Sequence, residues 1–191
     1  MPPQNPISLV QRHSIEAKDI VSCVQFSPFE WCQDLLAFEC HQRVFVAEIS
    51  FNDDPDVDQH FIHEFIHIFV VGFKCTTISF SPKTNFEILK KCVKLAVGTF
   101  DNSIVLLSSN LKSPEQSKVH TLYGHNDFIN DLVFEPQTGE VMASVGDDCT
   151  CCIWSLANQD NKLLTKLRLT SPGMSVKWHH KDDNKVFIMK Y

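Results

Sequence analysis

Residues 63–67 read His-Glu-Phe-Ile-His, a match to H-E-x-x-H, in which two histidines hold zinc and the glutamate activates a water molecule. That chemistry needs a helix, because only there do residues i and i+4 stand about 6 Å apart on one face. In a strand they lie roughly 13 Å apart, too far to share an ion. His60, His63, Glu64 and His67 fit one helical face, and Glu87 stands where a thermolysin-like third ligand would come. Against this, the segment is rich in Phe and Ile, which favour strand. The longer metzincin pattern fails at Val70 and Phe73, where it requires Gly and His.

A second candidate for chemistry is the set His125, Ser144, Asp148 and Trp154, whose first three residues could be read as a nucleophile with its base and orienting acid. A third is the cysteine cluster Cys149, Cys151 and Cys152. It lacks the second C-x-x-C pair of a zinc site and runs into an apolar segment, so strand residues facing alternately to two sides are expected. Asp54, Asp56 and Asp58 echo a calcium loop, but Gln59 replaces its glycine and Phe65 its closing glutamate, leaving a solvated acidic loop.

Which reading holds depends on the elements that carry these residues. Four segments share an alternating apolar pattern ending in an aromatic residue: SCVQFSP (22–28), TTISFSP (76–82), NDLVFEP (130–136) and MSVKWHH (174–180). Their aromatics Phe26, Phe80, Phe134 and Trp178 are spaced by 54, 54 and 44 residues. Each segment is followed by a second strand-like run, and in the first three units by a third, with Asp, Asn and Gly between them. Several short strands recurring at somewhat over forty residues describe the blades of a β-propeller, an all-β fold. The expected blades span 20–71, 74–123 and 124–171, with the start of a fourth at 173–191 and a segment 1–19 that would close the last blade of a full ring. HEFIH then falls in the outer strand of the first blade, with His63 and His67 on one face and too far apart for one ion. KTNFEILKKC (83–92) is expected to hold a helical turn, and NLKSPEQSK (110–118) an exposed loop.

Composition narrows the function classes. The chain has 191 residues, 43% of them hydrophobic, enough for a real core. A net charge of −6, with no basic cluster interleaved with aromatics, leaves direct nucleic-acid binding without an electrostatic basis. No apolar run approaches the roughly 20 residues of a bilayer span, so membrane insertion is not expected. The proline-bearing start MPPQNPISLVQ does not read as a signal peptide, and the eight cysteines are expected to be reduced thiols.

The third unit, GHNDFINDLVFEPQTGEVMASVGDDCTCCIWSL, resembles a WD repeat, with Trp154-Ser155 where the family has Trp-Asp. That resemblance implies a buried hydrogen-bonded chain of His125, Asp148, Ser144 and Trp154, structural rather than catalytic. In the second unit Asp101 and Leu107 take the places of Asp148 and Trp154, and Val97 that of the serine, so apolar packing is expected to carry that blade. In the first unit Gln42 and Glu48 are expected at those two places. GHNDFINDLVFEP, ASVGDDCTCCIW and SPGMSVKWH together are similar to the small WD-repeat nucleoporins of the Y-shaped outer ring of the nuclear pore. This implies a non-enzymatic scaffold without metal, cofactor or small-molecule substrate, bound to larger nucleoporins of that complex. It also implies a place at the nuclear envelope and a part in transport and chromosome segregation. Two other readings are a WD-repeat adaptor presenting a peptide-binding face and, more remotely, a zinc hydrolase. Because that family forms a seven-bladed ring, the chain is expected to be a fragment or truncated product that expresses poorly or associates.

Overall fold

Alternation of apolar and polar residues builds fourteen strands among the described residues of the computed structural model, which are 13–51, 61–86, 91–157, 161–179 and 182–191. They form four antiparallel sheets in chain order: β1 (Val21–Phe26) to β4 (Phe61–Val70), β5 (Cys75–Phe80) to β8 (Lys118–Tyr123), β9 (Ile129–Phe134) to β12 (Lys162–Arg168), and the pair β13 (Gly173–His179) and β14 (Asp182–Lys190). Each sheet begins at an inner strand, and β1, β5, β9 and β13 pack in succession on one another. The arrangement is a β-propeller, with each sheet a blade.

Period two explains how one strand serves two interfaces. In blade 2, Val93, Leu95 and Val97 of β6 (Cys92–Thr99) face Val44, Val46 and Phe69 of blade 1. Their neighbour Ala96 faces the other way, packing with Ile129, Phe134 and Trp154 of blade 3. Blade 3 repeats the scheme: Cys152 of β11 (Thr150–Ser155) points toward blade 2 and Cys151 toward blade 4, where it meets Val145 and Val176. Both thiols are buried, and burial pushes Cys151 up to about 11, so neither is a ready nucleophile. All eight cysteines are free.

HEFIH lies in β4, the outer strand of blade 1, which pairs only with β3 (Arg43–Phe51). The structure corrects the expectation that its two histidines share a face. Val46 pairs with His67 but Ala47 with Phe65, so Ile66 is an extra residue, a β-bulge. The bulge reverses the alternation. His67 turns toward blade 2, where its Nε2 is 3.0 Å from the Ser117 hydroxyl, whereas His63 lies on the opposite side between Phe61 and Phe65. Strand spacing separates the two rings along β4 and the bulge separates them across it. His60, Glu87 and the Asp54, Asp56 and Asp58 loop lie outside the described residues, as do positions 87–90 of the segment read as a helical turn. That segment's flanks, Asn85 and Cys92, form a β-bridge.

A second correction concerns blade 1. The hairpin between β2 (Leu35–Cys40) and β3 turns through only His41 and Gln42, both at positive φ, and is one residue shorter than the corresponding turns of blades 2 and 3. Ala47 rather than Glu48 therefore pairs with Leu36 at the place where Leu107 pairs with Leu95 and Trp154 with Met142.

Candidate functional site

Blade 3 contains the main buried polar cluster among the described residues. Its parts come from separate elements: His125 from the segment entering β9, Ser144 from β10 (Val141–Gly146), Asp148 from the β10–β11 turn and Trp154 from the far end of β11. The Trp154 indole N–H donates to Ser144 Oγ at 2.9 Å, and Ser144 Oγ lies 2.8 Å from His125 Nε2. On the ring's other side, Nδ1 lies 3.1 Å from both carboxylate oxygens of Asp148.

The proton pattern follows from this geometry. A carboxylate only accepts, so Nδ1 carries the proton and Nε2 accepts from the Ser144 hydroxyl. Ser144 oxygen in turn accepts from the indole, so each donor finds an acceptor from Trp154 to Asp148. Burial lowers the His125 pKa, which the neighbouring Asp148 opposes only in part, and the ring is held neutral. Burial alone would raise Asp148. Hydrogen bonds from the Thr150 hydroxyl (2.6 Å), the Asn126 N–H (3.1 Å) and His125 overcome it and hold the carboxyl down at about 2.

Sequence reasoning identified His125, Ser144, Asp148 and Trp154, and the structure brings all four together. It missed Thr150 and Lys166. Lys166 Nζ, from β12, reaches Asp148 Oδ2 at 3.2 Å and the Gly124 carbonyl at 2.6 Å. Gly124 packs so closely on the indole that a Cβ there would sit 2.6 Å from a Trp154 ring carbon, which accounts for the Gly-His opening of the repeat. Thr150 had a legible signal, an Asx-type turn two residues after Asp148; Lys166 had none, because β12 is recognisable only once paired.

Ser144, His125 and Asp148 connect in the order of a catalytic triad. However, Ser144 is fully buried and its oxygen is already engaged by the indole, so no substrate carbonyl can approach it. The chemistry available to this arrangement is mutual hydrogen bonding inside the blade. Among the described residues no group of three or more His, Cys, Asp or Glu is placed to hold a metal ion.

Comparison with known proteins agrees with this geometry. Residues 116–155, which carry the four-residue network, match the family described as WD domain, G-beta repeat. The chain is 34% identical to mouse nucleoporin Nup37 and 33% identical to the human protein over 178 residues, and 26% identical to that of Drosophila melanogaster over 180. Each match covers 92% of this chain but only 53–54% of the relative, so the chain spans about half the length of the relatives it matches. Among solved structures, a chain of a ctPRC2 complex superposes with a TM-score of 0.65 at 21% identity, covering 88% of this chain and 34% of that one, a likeness of fold. The chain is thus a β-propeller that carries a WD repeat at residues 116–155 and is similar to the Nup37 nucleoporins over 92% of its length.

Proposed function

We propose that the protein is a non-enzymatic scaffold subunit of the nuclear pore outer ring. In this reading it docks on larger nucleoporins of the Y-shaped complex and supports pore assembly, nucleocytoplasmic transport and chromosome segregation. Similarity to Nup37 over 92% of the chain carries the reading. The buried network supports it, since the residues that most resemble catalytic groups are consumed in stabilising a blade. The polar machinery of blade 3 then serves to hold a rigid surface in place, and partner choice lies in exposed side chains. Fluorescent tagging and affinity purification from cells test this. A nuclear-rim signal with co-purified outer-ring nucleoporins is the expected result, while recovery of a ubiquitin-ligase core without nucleoporins would replace the scaffold with the adaptor.

A further inference from the structure

Between blades 2 and 3 the apolar interface does not close completely. At the end of the sheets where β6 and β8 begin and β7 (Ser103–Asn110) ends, a cleft of about 680 Å³ opens, large enough for several side chains. Its apolar part is made by Leu106, Phe134 and Leu156, which belong to or pack against the core between the two blades. Its charged side chains, Lys83, Lys94 and Lys118, are of one sign.

Register explains that sign. Lys94 of β6 pairs with Ser108 of β7, and Ser108 with Lys118 of β8, so one row across blade 2 carries two lysines on the face turned to blade 3. One step along, Ala96, Leu106 and His120 form the next row of the same face. Lys83, from the β5–β6 loop, completes the rim, held by Glu140 at 3.2 Å. Among the described residues no carboxylate lines the cleft and none pairs with Lys94 or Lys118. In a chain of net charge −6, a local concentration of positive charge around an open apolar floor is out of keeping with the surface as a whole.

We propose that this cleft is a docking site for an acidic linear segment of a partner protein, with a large apolar side chain seated on Leu106, Phe134 and Leu156 and flanking carboxylates facing Lys94 and Lys118. Charge complementarity supplies steering and specificity, and the apolar anchor supplies the buried area. The site goes beyond the nuclear-pore reading and does not depend on it, since its chemistry follows from the lining alone.

The test uses fluorescein-labelled synthetic peptides in which Glu and Asp flank a central Leu-Phe pair, with a control carrying Ser-Ser at the centre. Anisotropy titrations with the protein should show saturable binding of the Leu-Phe peptide. It should weaken about tenfold in Lys94→Glu/Lys118→Glu and by a similar factor for the Ser-Ser peptide, with Lys74→Glu, an exposed change elsewhere, neutral. A peptide with Lys in place of Glu and Asp should gain affinity for the charge-reversed variant. If that variant does not fold, as judged by its thermal melt, Lys94→Ala/Lys118→Ala takes its place. Absence of saturable binding, binding that survives loss of both lysines, or equal binding of the Ser-Ser peptide would each overturn the proposal.

Discussion

Blades 2 and 3 have the same backbone plan but differ in their polar groups. In blade 3 the chain of hydrogen bonds runs from the Asp148 turn through His125 and Ser144 to Trp154 at the far end of the strand. Blade 2 keeps only the turn: Asp101 accepts from the hydroxyls of Thr99 (2.5 Å) and Ser103 (2.8 Å), and the network ends there. Val97 and Leu107, at the places of Ser144 and Trp154, are buried and apolar, as is the core they join. The backbone of a blade therefore follows from alternation and pairing alone. The full network is a reinforcement laid across an already specified sheet, and it becomes obligatory only once one of its members is present, since each leaves others buried.

Removing the shared turn residue from each blade should separate the two cases most widely. Asp148→Ala leaves His125, Thr150 and the Asn126 N–H without their acceptor and is expected to cost about 3 kcal/mol in urea unfolding, against about 1 kcal/mol for Asp101→Ala. Equal losses would mean that the two turns do the same work. Next, Ser144→Ala should cost about 2 kcal/mol, because the indole N–H and His125 Nε2 both lose their partner. A double-mutant cycle with Trp154→Phe should then show coupling, where independent effects would break the idea of one connected network.

Acid should act on blade 3 in the same direction. Asp148 is held near 2 from an ordinary 3.8, so its contribution is complete above pH 3.8 and is lost as pH falls toward 2. His125 is lowered from 6.5, so unfolding takes up a proton below that pH, and stability again falls on acidification. Together they predict a loss of about 2 kcal/mol between neutral pH and pH 2, smaller in Asp148→Asn. A flat profile in the unsubstituted protein would contradict the neutral-histidine assignment. The smallest effect concerns blade 1, whose turn places His41 and Gln42 at φ 54° and 60°. Replacing them by Asn and Gly, the pair best suited to a type I′ hairpin, should raise stability by about 1 kcal/mol in the same assay.

Much of this was legible in the sequence where the signal is local or periodic. Alternation located the strands around Phe80 and Phe134, and spacing within the third repeat identified His125, Ser144, Asp148 and Trp154. What escaped depends on pairing. The extra residue at Ile66 shows only against β3, so the sequence offered no reason to separate His63 from His67 by face. The shortened turn at His41 and Gln42 moved the counterpart of Trp154 from Glu48 to Ala47 for the same reason: counting along one strand cannot reveal how many residues its partner spends in the turn. Blade 2 was expected to rest on apolar packing, and its strands do. Thr99 and Ser103 nevertheless build a small polar cap around Asp101, a pattern too short to stand out among ordinary turn residues.

The bulge at Ile66 also bears on aggregation. β4 is an edge strand rich in Phe and Ile, the kind of segment onto which a second polypeptide adds as a further strand. An incoming straight strand needs an uninterrupted row of donors and acceptors at regular intervals. One extra residue in the middle puts the two halves of β4 out of step, so neither half offers more than a few matching bonds. The irregularity that separates the histidines of HEFIH thus also protects an exposed, sticky edge from templating fibril growth.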